Sequence, residues 1–293
     1  MNAQTPTLIV HQMGKVASHT WCETVRQVLR REGAQPIHCH FMMPATREHI
    51  AAALNAPSGC QTIANMLVAK STLRDGASAW ARVQSAREGN ETVRVISGIR
   101  EPVSRSISII TFLADFYGHV DRPLNPRVPM TPEYVIESLR ENWRRVLDRQ
   151  EPRGTFEWLL WYLTGAYRTW FEEELGAAFG IDVLQTEFSR EKASQRITTP
   201  AADVLIYRVE DMPPTAPGYM TLLAQASSFL GAPVRDVPVV NTSSTRRSRE
   251  ISAAVRQRFS LPEHMLAPIY DDPVIRHFYT ADEISTFQAR WRD

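Results

Sequence analysis

The sequence predicts an α/β fold with a central parallel sheet flanked by helices. Three observations carry this reading. Short apolar runs recur at Thr7–His11, Pro36–Phe41 and Val93–Ile99, each the length of a strand buried on both faces. Stretches of helical periodicity separate them, and strand–helix alternation of this kind builds parallel sheets. No internal repeat, low-complexity tract or linker interrupts the 293 residues, so one domain over 1–293 with a helical C-terminal region is expected.

The elements follow in order. After the first strand and a short loop, Thr20 opens an amphipathic helix with Trp21, Val25, Val28 and Leu29 on one face. The second strand is followed by helices over 47–54 and 71–87. The third ends at Ile99, and Pro102 suits the first position of the helix beyond it. Thr131–Pro132 supplies a side-chain cap and a pre-set φ for a helix running to about Arg149. Thr155 starts an aromatic-rich helical segment ending near Gly180. Ile181–Leu184 and Val204–Val209 read as further strands, and the chain from Tyr219 is mostly helical apart from the polar segment Asn241–Arg249.

Composition narrows the function classes. Thirty-three Lys and Arg against thirty-two Asp and Glu leave a formal charge of +1, so no global field draws nucleic acid or an anionic membrane, and any anion site is local. The densest apolar stretch, Phe156–Phe171, is broken by Glu157 and Arg168 and is shorter than the about 20 apolar residues a membrane span needs. No integral membrane segment is expected. The first residues lack the basic and apolar regions of a signal peptide, and Cys22, Cys39 and Cys60 are odd in number without CxxC spacing. Both point to a reducing, cytoplasmic setting.

Two segments carry the chemistry. In Gly14-Lys-Val-Ala-Ser-His-Thr20 a loop of small residues joins strand to helix, aiming backbone N–H groups and the positive helix end at one point. Lys15 adds a mobile charge, and Ser18 and Thr20 offer hydroxyls. An ATP or GTP loop would need glycine five positions before Gly14 and Ser or Thr directly after the lysine to hold magnesium. Ile9 and Val16 stand there. The alternative is a glycine-containing turn with a surface lysine. In the second segment, Arg100 ends the third strand at the sheet edge where α/β proteins bind ligands, and Ser104, Arg105 and Ser108 follow on the next helix, with Ser104 above Ser108. Arg and Ser converging suit a phosphate; pairing of Arg100 with Glu101 is the alternative.

Taken together, a Lys-bearing loop after the first strand and Arg-x-Pro with Ser eight residues beyond the Arg resemble the sulfotransferases that use 3′-phosphoadenosine 5′-phosphosulfate (PAPS). The resemblance implies a P-loop-like three-layer fold, PAPS as co-substrate, and 3′-phosphoadenosine 5′-phosphate (PAP) as product. It places Gly14, Lys15, Val16, Ala17, Ser18, His19 and Thr20 on the 5′-phosphosulfate loop, and Arg100 and Ser108, with Arg105 beside them, at the 3′-phosphate. Gln12-Met-Gly-Lys-Val-Ala-Ser18, His38-Cys-His-Phe41, Trp170-Phe-Glu-Glu-Glu-Leu175, Phe179-Gly-Ile-Asp182 and His277-Phe-Tyr-Thr280 with Glu283 are similar to bacterial capsular polysaccharide synthesis proteins, themselves sulfotransferase-like. That group's Asn-Lys-Trp-Tyr-Ser signature is replaced here by Asn241-Thr-Ser-Ser-Thr-Arg-Arg-Ser-Arg249. A C-terminal polar loop covers the nucleotide in related sulfotransferases, which makes Arg247 a candidate contact; a solvated basic loop is the alternative.

Sulfuryl transfer needs an in-line acceptor oxygen, a base for its proton and positive charge on the leaving phosphate. Lys15 and the loop amides supply the charge, and no metal is expected. His40 and then His38 are the candidate bases: they alternate on a strand and share a face, and free imidazole titrates near about 6.5. A His-x-His strand also suits a transition metal or simple core hydrogen bonding. Glu101, Glu210 and Asp211 are carboxylate alternatives. Trp143, Trp158, Trp161, Trp170 and Tyr162 would make a sugar-stacking surface, although their spacing fits core packing better. The acceptor hydroxyl belongs to a carbohydrate or a small molecule. A non-catalytic nucleotide or anionic-glycan binder and a metal-free P-loop-like kinase are the rival classes.

Overall fold

The computed structural model describes residues 7–30, 35–55, 63–118, 131–152, 155–238 and 249–293. The chain divides into two compact units. One comprises Met1–Arg47, Ser71–Arg100 and Trp170–Val240; the other comprises Glu48–Lys70, Glu101–Thr169 and Asn241–Asp293.

The first unit holds a five-stranded sheet flanked by helices. In chain order its strands are β1 (Leu8–His11), β2 (Ile37–Cys39), β3 (Val93–Ile99), β4 (Ser194–Thr198) and β5 (Ala202–Arg208). They lie side by side as β2-β1-β3-β5-β4, all parallel except β4, which pairs antiparallel with β5 at the edge. The centre is the β3–β5 pair, in register over seven positions from Val93↔Ala202 to Ile99↔Arg208. Val, Ile and Leu recur along both strands, and β5 is buried throughout, as strands covered on both faces must be. On one face Leu8, Val10, Ile96 and Leu205 pack with Trp21, Cys22 and Val25 of the helix Ser18–Val28 and with Leu222, Leu223, Ala226 and Phe229 of the helix Tyr219–Leu230.

The expected first, second, third and last strands are present, the third with the expected bounds and the others with ends shifted by at most two residues. Ile181–Leu184 is not a strand: Asp182 caps the backbone N–H of Leu184 and turns Val183–Gln185 into a short 3₁₀ helix. The strand that pairs beside β5 is instead the polar Ser194–Thr198, where Arg196 meets Asp203 at 2.7 Å. Polar residues suit an edge strand.

The second unit is helical. Pro102–Gly118 begins at its proline, and Pro132–Leu147 is capped by Thr131, whose side chain accepts from Tyr134 N–H. The aromatic-rich segment does not run as one helix. It passes from α-helix over Thr155–Gly165 to a 3₁₀ turn at Ala166–Arg168, and in the first unit continues as a π-helical turn, Phe171–Gly176. Trp143, Trp158 and Trp170 are buried. Helices Arg249–Arg258, Glu263–Tyr270, Pro273–Phe278 and Ala281–Trp291 complete the chain, the last opened by a Thr280–Glu283 capping box. Among the described residues no helix is long and apolar enough to cross a membrane.

Candidate functional site

The strand order sets where a ligand belongs. From β1 the chain moves to β2 on one side, then returns across β1 to β3 on the other. The crevice beyond the carboxyl ends of β1 and β3 is therefore the switch point at which open α/β sheets bind ligands. The Gly14–Ser18 loop leaves β1 there, and Arg100 leaves β3.

The loop's backbone is unusual. Lys15 and Ala17 both have positive φ, 69° and 65°, although neither is glycine. Such a conformation costs on the order of 1–3 kcal/mol per residue and persists where the surroundings impose it. Two contacts do so. The phenol of Tyr207 on β5 donates to the carbonyl of Val16, and Arg100 Nη1 donates to the carbonyl of Lys15 at 3.4 Å. Tyr207 reaches the loop across Gly98 of β3, where a Cβ would lie 2.6 Å from the ring. Trp21 packs against the Tyr207 ring, 5.0 Å away between ring centroids. Burial pushes the Tyr207 phenol well above its ordinary pKa, so it stays a donor.

Ala17 is the N-cap of the helix Ser18–Val28 and supplies no side-chain cap. The first intrahelical bond is Trp21 N–H to Ala17 carbonyl, so the amides of Ser18, His19 and Thr20 have no partner within the helix. The positive end of the helix and Lys15 belong to one turn. Such a terminus accepts an anion.

Three imidazoles stand beside the loop. His19 and His38 are 5.1 Å apart between ring centroids, and His38 and His40 are 4.7 Å apart, edge to face. His38 and His40 share a strand face, while Cys39 points to the other, as their alternation predicts. His40 Nδ1 lies 2.7 Å from the carbonyl oxygen of Gln12. A carbonyl only accepts, so Nδ1 carries the proton and Nε2 holds the lone pair. Burial lowers the His40 pKa to about 4; the Gln12 carbonyl opposes this, and His19, His11 and Lys15 reinforce it. His38 falls to about 3, again by burial first and then by His40, His19, His11 and Arg26. Burial, Lys15 and Arg26 also lower His19. At neutral pH the cluster is uncharged, below the ordinary imidazole range.

The other candidates are distributed differently. Ser104, Arg105, Ser108 and Glu101 lie in the second unit. There the Glu101 carboxylate accepts from the amides of Val103 and Ser104, at 2.8 and 2.6 Å, and from the Tyr270 hydroxyl at 2.6 Å. It caps the helix that Pro102 opens. Arg105 is buried, and its Nη2 donates to the carbonyls of Leu163 and Thr164 at 2.5 and 3.1 Å, in the last turn of Thr155–Gly165. Ser108 is buried on the same helix. Asp211 forms a buried ion pair with Arg208 at 2.7 Å, and Glu210 precedes it in a 3₁₀ turn. Arg247, with Arg246 and most of the Asn241–Arg249 segment, lies outside the described residues, as does Cys60. Among the described residues no three His, Cys, Asp or Glu side chains are grouped to hold a metal ion.

Sequence reasoning missed Gly98, Tyr207, His11 and Glu174. Glu174 carried a signal: Trp170, Phe171, Glu174, Leu175 and Ala178 are all buried, and their spacing puts this carboxylate, unlike Glu172 and Glu173, on an apolar helical face. The tyrosine carried none, because its partner is distant in sequence.

No protein-family model matches the chain, and no match to it was found among the curated proteins or the solved structures.

Proposed function

We propose that this chain is a PAPS-dependent sulfotransferase that transfers a sulfuryl group to a hydroxyl of a carbohydrate or small molecule, in the cytoplasm, on a P-loop-like three-layer fold. The observation that carries the proposal is the uncapped helix terminus at the β1–β3 switch point, bearing Lys15, together with an imidazole whose Nδ1 is committed to Gln12 and whose Nε2 holds the lone pair. Anion binding and proton acceptance are the two demands of sulfuryl transfer.

In the proposed reaction the acceptor oxygen attacks sulfur as its proton passes to His40 Nε2. The bond from sulfur to the bridging oxygen breaks, and its electron pair leaves with the 5′-phosphate of PAP. Charge grows on phosphate oxygens, where Lys15 and the amides of Ser18, His19 and Thr20 stabilise the transition state more than the ground state. A neutral His40 is in the form that accepts a proton. Its depressed pKa makes it a weak base alone, and a bound phosphosulfate, by adding negative charge nearby, raises it toward neutrality. Arg100, already bonded to the loop, is assigned to the 3′-phosphate side of the nucleotide.

The experiment is incubation with labelled PAPS and a panel of hydroxyl acceptors, read by mass spectrometry for an added sulfuryl group, alongside calorimetric titration with PAP and ATP. Sulfuryl transfer with PAP binding supports the proposal. PAP binding without transfer to any acceptor identifies a nucleotide-binding protein, and preference for ATP identifies a kinase.

A further inference from the structure

Beneath the histidine cluster lies a buried charged network. One oxygen of Glu174 accepts from Met42 N–H at 2.7 Å and Met43 N–H at 3.1 Å, and lies 3.0 Å from His11 Nε2. The other nitrogen of that imidazole, Nδ1, is 3.2 Å from Cys39 Sγ. Trp170, four residues before Glu174, sets its indole 4.7 Å from the His11 ring and donates from Nε1 to the carbonyl of His40 at 3.3 Å. His11, Cys39, Glu174 and Trp170 are all buried.

A carboxylate withdrawn from water is costly unless paired and hydrogen-bonded. One oxygen of Glu174 has both, across more than 130 residues of chain. Burial opposes a charge on His11, but Cys39 and Glu174 outweigh it and raise its pKa to about 10. At neutral pH the pair is therefore ionic. An apolar contact would close the same space at lower cost, so what the pair holds matters. It grips two pieces of backbone: the end of β1, where His11 precedes Gln12, and the segment from His40 to Met43 after β2. These pieces carry the two halves of one hydrogen bond, the Gln12 carbonyl and the His40 Nδ1–H.

We propose that Glu174, acting through His11 and aided by Trp170, is a positioning residue that holds His40 as its Nδ1–H tautomer with Nε2 unprotonated. The proposal deepens the reading of His40 as the proton acceptor and rests on it. The network acts in two ways. Its hydrogen bonds fix where the Gln12 carbonyl stands relative to the ring. Its cationic imidazole, together with Lys15, opposes a second positive charge at His40. Removing either member of the pair lets His11 lose its charge or removes it, and both release His40 toward ordinary imidazole behaviour.

The test is nitrogen-15 NMR of the histidines in the full chain. In the unmodified protein His11 is expected to be cationic at pH 7, and the His40 resonances should show a second inflection where His11 discharges. A His11 that is neutral at pH 7 overturns the proposal without any variant. In Glu174→Gln and His11→Gln, the His40 signals should shift from the pure Nδ1–H tautomer toward a mixture, and the titration midpoint should move up. An unchanged tautomer and midpoint in whichever variant folds also overturns it. The assay with PAPS separates the two readings. If wild type transfers no sulfuryl group yet these shifts occur, His40 is positioned but is not a sulfotransferase base. If wild type transfers and His40 is indifferent to both substitutions, the sulfotransferase reading stands and Glu174 is structural.

Discussion

His40 Nδ1 is held 2.7 Å from the carbonyl of Gln12, so the imidazole that follows β2 is locked to the loop that follows β1. This assigns the tautomer and leaves Nε2 as the basic nitrogen. His40→Ala is expected to lower turnover by roughly 10²–10⁴-fold while PAP affinity changes little, because a general base acts in the transition state. Single-turnover kinetics with PAP calorimetry measure both. Full turnover in His40→Ala and His38→Ala would move attention to the carboxylates Glu101, Glu210 and Asp211.

Lys15→Ala is expected to reduce transfer on the order of a hundredfold or more, since a donor aimed at developing oxyanion charge contributes about 3–4 kcal/mol to the barrier. Arg100→Ala should behave differently. If Arg100 binds the 3′-phosphate, affinity for PAP falls strongly, while affinity for the analogue lacking that phosphate barely changes. Equal weakening for both ligands would mean that Arg100 acts only through its bond to the Lys15 carbonyl.

Gly98 and Tyr207 make a third prediction. A methyl at Gly98 would meet the Tyr207 ring at 2.6 Å, and the same ring packs against Trp21. Gly98→Ala is therefore expected to destabilise the fold by roughly 1–3 kcal/mol and to weaken PAP binding by displacing the donor to Val16. Tyr207→Phe keeps the ring but leaves the Val16 carbonyl without that donor, a loss of about 1–3 kcal/mol. Urea unfolding and PAP titration are the measurements. A Gly98→Ala protein matching wild type in both would show that the loop does not depend on this contact.

Stability should peak near pH 6.5. The unfolded chain takes up protons on His38 and His40 below the ordinary imidazole pKa, about 6.5, whereas the folded protein does so only near about 3 and about 4. Their contribution is present above pH 6.5 and is lost as pH falls through those values. His11 has the opposite sign: with its pKa raised to about 10, its contribution is complete below pH 6.5 and declines as pH rises. Unfolding free energies from urea titrations should fall between about pH 6.5 and 5 by roughly 1–2 kcal/mol per histidine. The fall should shrink in the His38→Gln, His40→Gln double variant; an unchanged acid limb there would assign it to carboxylates instead.

Local chemistry alone determined much of this protein. Apolar runs located four of the five strands, the small-residue loop located the β1 turn and the helix after it, and Pro102, Thr131 and Pro132 located helix starts. The shared face of His38 and His40 followed from strand alternation. These features depend on residues a few positions apart, whose dihedral and capping preferences act within one turn or strand. Tertiary structure decided the rest. Whether Ile181–Leu184 or Ser194–Thr198 became a strand depended on which could pair with β5, and pairing is not written in either segment. The left-handed Lys15 and Ala17, the tautomer of His40 and the charge of His11 are set by Tyr207, Gln12 and Glu174. Tyr207 and Glu174 are more than a hundred residues away from the groups they hold. Burial, which lowers imidazole pKa values, and the partners that raise the one at His11 both exist only once the chain has folded.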